Sequence, residues 1–384
     1  MMISKKVSET VREVIELLDP YFHLKKLISF NDKGINFKDQ EVVFNGKIYL
    51  FGLGKASSFE LEAFYQLLKE NDLENKIEKI VSYTKEGATV DCENFIELEG
   101  THPVVSERNI ENTKKYIQLL EEISKEDTLI FFLSGGASAL LELPVEGLSF
   151  EQLKLKHEQL LLSGININEM NKKRKEISLV KNGGLLKYIK TKNIIQFVTC
   201  DIPNENLSDV GSGPLLNDTR IDENPYTIKS QSASLLLERL CERDSKRIRD
   251  KIYDCSFEEL IESVERKLPL GDDILISGGE APVEVTKFEG RGGRNTHFVL
   301  SLANRIYSKE ENRNIHILSF GTDGGDGNTN VAGAYINFDL FSTLDPKEYL
   351  EEFNSFEYFE KINGLVITGV TKTNVMDLRC IWRE

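Results

Sequence analysis

Histidine, cysteine and tryptophan are scarce in this chain of 384 residues, and lysine and arginine together (48) are outnumbered by aspartate and glutamate (63). The five cysteines, Cys92, Cys200, Cys241, Cys255 and Cys380, are odd in number and show no CxxC spacing. That pattern speaks against a disulfide framework and a zinc site, and it suits a reducing cytosol. No two of His23, His102, His157, His297 and His316 have metal-ligand spacing, and a Ser-His-Asp assignment would be arbitrary. His102, immediately before Pro103, reads as a residue that shapes a turn. No apolar run reaches the about eighteen residues that a membrane span needs. The N-terminal MMISKKVSETVREVIELLD is charged throughout and lacks the apolar core of a signal peptide, so a cytoplasmic location is expected. The formal net charge of −15 repels nucleic acid and anionic lipid, so neither is expected as a partner. An anionic ligand would have to be held by a local cluster of positive groups. The basic stretch Lys172-Lys173-Arg174-Lys175 reads as a solvated helix face.

What is present is the composition of a globular protein and not a disordered one, with 40% hydrophobic and 29% charged residues. The length calls for two domains. Val7, Val11, Val14, Ile15 and Leu18 fall at helical spacing, predicting an amphipathic helix up to Asp19-Pro20. Beyond it, apolar runs of strand length alternate with helical stretches, the signature of an α/β protein with a largely parallel sheet. The runs KIYLFGLGK, DTLIFFLSGG, NIIQFVTCD, DDILISGGE, IHILSFGTDGG and GLVITGVTKTN each end in glycine or a polar turn. Ligands of open α/β sheets bind outside the carboxyl ends of the strands, so chemistry should collect in these turns. A soft boundary lies between Asp218 and Asp272, where residues 238–249 are charged and helical, without sheet signals. The division is placed at 1–235 and 236–384.

Each turn admits a structural reading beside a chemical one. In FGLGKASSFE, Lys55 follows two glycines at a helix start: either an exposed lysine on a plain turn, or a cation aimed at a phosphate or carboxylate. The spacing is not that of a Walker A loop. In FLSGGASALLELP, the small residues Ser134, Gly135, Gly136, Ala137 and Ser138 let backbone approach an anion ahead of a helical ALLEL, and the anion loop is the favoured reading. Asp201, at a strand end, can bind Mg²⁺ or form an Asx-turn. A second strand is expected at PVEVTKF, and after it Arg291 and Arg294 stand among Gly290, Gly292 and Gly293 at a helix start. Two planar forks there in an acidic protein favour a function over solubility. Asp323 and Asp326 can serve as metal ligand and general base or form an acidic turn, and the EF-hand spacing is missing. Thr371, Thr373 and Asn374 fall between a strand and an expected helix, where capping and ligand contact are equal readings.

Glycine turns, one lysine, two arginines and strand-end carboxylates suit phosphoryl transfer, which depends on positioning and charge neutralisation more than on covalent chemistry. The ordered stretches GLGKAS, GTHPVVSERN, LSGGASALLELPVEGLS, LLLSGININEMNKKRKEIS, VKNGGLL, DIPNENLSDVGSGP, SGGEAPVEV, GRGGRN, GTDGGDGNTNVAGA and TGVTKTNVMDLR make the chain resemble the glycerate 2-kinases of the MOFRL type, some formerly labelled hydroxypyruvate reductases. The resemblance implies two three-layer α/β/α domains, the first Rossmann-like with a largely parallel sheet and the second with a mixed sheet. It implies an active site in the cleft between them, with ATP, Mg²⁺ and D-glycerate giving 2-phosphoglycerate. By that resemblance Lys55, Arg294 and Asp323 are catalytic. Ser134, Gly135, Gly136, Ser138, Gly292 and Gly293 bind ATP or phosphate, Arg174 and Asn295 bind the acid, and Asp201 holds the metal. The chain departs from the family at Ala137 (usually a third glycine), at Glu176 (usually histidine), at Thr296-His297 (usually Gln-Glu) and at Val370-Thr371-Lys372 (usually Pro-Thr-Gly). These departures bear on the acceptor more than on the reaction class. The alternatives are an NAD(P)H-dependent hydroxypyruvate reductase, which the lack of a GxGxxG after a strand opposes, and an inactive sensor of a phosphorylated hydroxy acid. The oligomeric state is not fixed by the sequence, and a homodimer is compatible with it.

Overall fold

The computed structural model describes residues 5–90, 92, 94–162, 173–216, 225–285 and 290–384. Lys172, the rest of 163–171, Asp218 and residues 286–288 of the strand expected at PVEVTKF lie outside them; the described residues 282–285 form no strand. All five cysteines are free thiols. The chain divides into two compact units, one of Pro20–Cys200 and Asn206–Ser230, the other of Met1–Asp19, Asp201–Glu205 and Gln231–Glu384.

The first unit opens with an antiparallel three-stranded sheet of β1 (Ser29–Asn31), β2 (Gly34–Phe37) and β3 (Gln40–Val43). Its main sheet is six-stranded and mostly parallel, from β4 (Ile48–Leu53), β5 (Ile77–Lys85), β6 (Phe95–Gly100), β7 (Thr128–Leu133), β8 (Asn193–Thr199) and β9 (Tyr226–Gln231) in the order β6-β5-β4-β7-β8-β9. Central β4 and β7 are buried along their whole length, which their unbroken apolar runs require. On one face, Leu61, Phe64 and Leu67 of the helix Ser57–Glu70 pack with Leu50, Phe132 and Phe197, the last two rings stacked at 4.9 Å. On the other, Phe51 meets Tyr116 of the helix Glu107–Glu121 edge-on at 5.3 Å.

The second unit holds a mixed six-stranded sheet of β10 (Arg247–Asp254), β11 (Ile274–Glu280), β12 (Ile315–Gly321), β13 (Gly333–Ile336), β14 (Leu365–Val366) and β15 (Asp377–Arg383), in the order β10-β11-β15-β12-β13-β14. Helices Phe257–Glu265, Arg294–Ile306 and Ser355–Ile362 share one core with this sheet. The N-terminal helix Lys5–Leu18 shares the opposite core, where Val7, Val11, Val14, Leu17 and Leu18 meet Leu236, Leu237, Leu240 and Trp382. That helix, first in the chain, therefore belongs to the compact unit that holds the C-terminus.

Three expectations are corrected here. Residues 238–249 are not helical throughout: the helix Ala233–Arg243 ends and β10 begins at Arg247. β10 lies at a sheet edge, where charged residues face water and hide the strand signal. No helix follows Asn374; the chain enters β15, which sits between β11 and β12 and runs antiparallel to both. Its Leu378, Cys380 and Trp382 fill one core while Ile381 fills the other. The helical ALLEL shrinks to one turn, Ala137–Leu140.

One buried acid makes folding pH-dependent. Glu60, only 4% exposed in the first turn of its helix, accepts a hydrogen bond from the Thr199 hydroxyl, and its other oxygen has no partner among the described residues. Burial raises its pKa from 4.5 to about 8, against the lowering by Thr199. The folded state therefore keeps a proton that the unfolded chain releases. The associated stability is complete below pH 4.5 and is lost as the pH rises to about 8. In Glu60→Gln the side chain cannot ionise, so its melting temperature should fall less steeply than the wild type's between these limits. Parallel slopes in a thermal melt series would show that Glu60 is charged in the fold.

Candidate active site

In the first unit, β4 and β7 are parallel neighbours, so the turns that leave them emerge at the same sheet edge. The two turns interlock. The Lys55 amide donates to Gly135 O at 2.9 Å, and the Ala56 amide donates to the buried Ser134 Oγ at 3.1 Å. At Gly54, with φ +123°, a Cβ would lie 2.4 Å from Ser134 O, so only glycine permits this approach. At Gly136, with φ +85°, a Cβ would lie 2.9 Å from Lys55 Cγ. The interlock consumes the Ser134 hydroxyl but leaves the amides of Gly135, Gly136, Ala137 and Ser138 without an acceptor among the described residues. The Lys55 ammonium likewise has no hydrogen bond or ion pair among them. An unpaired cation beside a row of open amides has the chemistry that suits an anion.

Neighbouring groups are less available. Ser138 Oγ is 2.8 Å from Ser212 Oγ, which ties the glycine turn to the loop after β8. Ala137 begins the helical turn, and its methyl lies 2.6 Å from where a Gly211 Cβ would be, so alanine in place of a third glycine fills space there. The basic stretch is not uniformly solvated: Lys175 pairs with Asp209 at 3.0 Å, and Arg174 is half-buried. Burial lowers the Arg174 pKa, against the pull of Glu142, and its buried Nε has no partner among the described residues. Glu142 itself is fully buried and bonded to Lys181. Asp201 follows the end of β8 in sequence but groups with the second unit.

In the second unit, β11 and β12 both run antiparallel to β15, so their carboxyl ends and the start of β15 share one edge. That topology gathers Glu280, Asp323 and Asp377 around the first turn of the helix Arg294–Ile306. Arg294 donates from Nε to Asp377 at 2.6 Å and from a terminal nitrogen to Glu280 at 2.5 Å. Burial works against its charge, but Asp377 and Glu280 outweigh it and raise its pKa. Asp377 also accepts from Asn295 Nδ2 at 2.9 Å and faces the buried Arg379 at 3.5 Å. Asn295 is buried, and its amide oxygen takes the Ser319 hydroxyl at 2.5 Å. Its side chain is thus engaged on both sides by the protein.

The glycine-rich approach to this helix is closed rather than open. The amides of Arg291, Gly292 and Gly293 donate to Asn354, Asn328 and Thr296 side chains. Those of Asn295 and Thr296 both donate to the Asp326 carboxylate at 2.9 Å. Asp326 therefore caps the helix from outside, and burial raises its pKa despite these bonds. It is occupied as a cap, which removes it from the choice of base or metal ligand. A Cβ at Gly293 would lie 2.3 Å from Asp326 Oδ1, which accounts for that glycine. Arg291 stacks on Phe356, 4.1 Å from the ring centre. Asp323 is exposed, with one oxygen taking the Gly325 amide at 3.0 Å. His297 is half-buried between Phe257 and Phe353, and desolvation lowers its pKa to about 4.

Residues 6–238 match the family model described as a domain of unknown function, DUF4147, and residues 273–377 match the MOFRL family. The glycerate 2-kinase of Pyrococcus horikoshii is 30% identical over 95% of this chain and 94% of its own. The chain belongs to the MOFRL-type glycerate kinase family. Within it, the D-glycerate 2-kinase of Thermotoga maritima is 31% identical, covering 86% of this chain and 89% of that protein. The crystal structure of glycerate kinase from the same organism superposes with a TM-score of 0.79 at 28% identity, covering 98% of each chain.

For this MOFRL chain the reading from sequence missed Glu280 and Asp377 as partners of Arg294. The alternating Leu378, Cys380 and Trp382 were the signal that Asp377 opens a strand. Asp377→Ala should leave the fully buried Arg379 uncompensated and lower stability by about 3–5 kcal/mol. Denaturant unfolding measures this, and a loss below about 1 kcal/mol would mean that water replaces the carboxylate.

Proposed function

We propose that this chain transfers the γ-phosphoryl group of ATP to the 2-hydroxyl of D-glycerate, giving ADP and 2-phosphoglycerate, with Mg²⁺ as cofactor. The observation that carries the reading is the unpaired Lys55 ammonium beside the open amides of Gly135, Gly136, Ala137 and Ser138. Phosphoryl transfer places negative charge on oxygens already bound, and fixed donors that need no reorganisation stabilise it best. The family relatives named glycerate 2-kinase support the same acceptor.

In this reading Lys55 and the glycine turn neutralise an anionic group of the substrates. Arg294, already aimed by Asp377, supplies a second positive charge, and Asn295 keeps the Asp377 carboxylate in place. Arg174, with its free buried Nε, binds the acid. No cluster of three or more metal-ligating side chains occurs among the described residues. Mg²⁺ bound largely through phosphate oxygens and water requires only one or two carboxylates, and the exposed Asp323 with an open oxygen fits that demand. Asp201 is the second carboxylate proposed for it. Bound there, the ion would neutralise phosphate charge. Asp323 also accepts the hydroxyl proton in this reading, and then Asp201 holds the ion.

A coupled assay of ADP release with D-glycerate and Mg²⁺ tests the proposal, and turnover is the expected result. Folded protein that releases no ADP with any of a panel of hydroxy acids would overturn it, and oxidation of NADPH with hydroxypyruvate would replace it by the reductase. Lys55→Ala should lower kcat/KM by about 100-fold or more. Its melting temperature should stay near the wild type's, because the ammonium has no partner to lose among the described residues.

A further inference from the structure

His102 stands in the Lys55 site, though its place before Pro103 suggested only a turn. The missing Cβ of Gly136 would touch Lys55 Cγ at 2.9 Å and His102 Cδ2 at 3.2 Å, so the lysine stem and the imidazole flank the same glycine. Neither ring nitrogen of the half-buried His102 has a hydrogen-bond partner among the described residues. Its segment is nevertheless held firmly. The buried Asn109 accepts from the Thr101 amide at 3.1 Å and the Thr101 hydroxyl at 2.9 Å. Its amide donates to Thr101 O and to Ala139 O, both at 2.9 Å. Asn109 thus ties the residue before His102 to the helical turn that follows Gly136. A side chain positioned this closely, with both polar atoms unused, has the features of a ligand contact. Burial, then Lys55 and Lys85, lower its pKa to about 4, so the ring is neutral at physiological pH. It therefore offers one donor and one acceptor instead of a third positive charge.

We propose that His102 contacts the substrate acid directly, accepting a hydrogen bond from its 2-hydroxyl where that hydroxyl meets the phosphoryl group held by Lys55 and the open amides. This deepens the kinase reading and rests on it. The attacking hydroxyl must lie beside the phosphoryl group that these donors hold, so a neutral acceptor flanking the same glycine meets it first. In the transfer, the hydroxyl oxygen forms a bond to the γ-phosphorus. The bond from that phosphorus to the bridging oxygen breaks, its electron pair leaves with ADP, and the hydroxyl proton passes to the base of that reading, Asp323. His102 orients the oxygen for this step and retains no proton at the end.

The test compares D-glycerate with 3-hydroxypropanoate, which keeps the carboxylate and lacks the 2-hydroxyl, in the wild type, His102→Ala and His102→Asn. The KM for D-glycerate should rise about 3- to 10-fold in His102→Ala, with the KM for ATP unchanged. The inhibition constant of 3-hydroxypropanoate should not change, so the preference for the hydroxylated acid shrinks. His102→Asn, which restores an acceptor, should recover part of it. A rise confined to the KM for ATP, or equal weakening of both acids, overturns the proposal and assigns the ring to nucleotide or to packing. Failure of the wild type to release ADP removes the kinase reading itself. An active wild type with an unchanged preference in His102→Ala removes only the role of His102.

Discussion

Two glycines make the first unit's edge possible. Gly54 and Gly136 occupy backbone conformations that side chains avoid, and each sits where a Cβ would collide with the neighbouring turn. Because they are glycines, the turns leaving β4 and β7 close on one another through Lys55 N, Gly135 O, Ala56 N and Ser134 Oγ. The amides left over, the bare ammonium of Lys55 and the ring of His102 are all consequences of that contact. Ser134 looks like a ligand contact in sequence, but its hydroxyl is the hinge of the interlock. Ala137 looks like a defect but falls one residue beyond the point where a left-handed conformation is needed.

Positive charge is handled in opposite ways by the two units. Lys55 has no counter-charge among the described residues, which leaves it the chemistry to take an anion. Arg294 is held by two carboxylates, and the helix start beneath it is already capped by Asp326. A guanidinium fixed at Nε by the buried Asp377 has its plane and direction set before any ligand arrives. The glycines of GRGGRN serve this closed arrangement, since Asp326 packs where a Cβ of Gly293 would stand. Glycine-rich turns that read alike along the chain therefore divide into an open one and a closed one. The division follows from whether a carboxylate of the protein already occupies the donors.

Amino-acid order by itself determined the α/β class, the helix at the N-terminus, the buried strands and the turns in which chemistry collects, because apolar periodicity and glycine placement are local properties of the chain. It also carried the family, whose motifs run nearly its whole length. It could not reveal that β15 lies at the centre of its sheet, that β10 is a charged edge strand, or that the first helix joins the second unit. Each of these depends on partners distant in sequence. Only the tertiary structure decided which polar groups are free. Lys55 and Arg294 are equally plausible cations in a string of letters, and His102 and His297 equally plausible bases. What separates them is who stands beside them: carboxylates for Arg294, aromatic rings for His297, and for Lys55 and His102 no polar partner at all among the described residues.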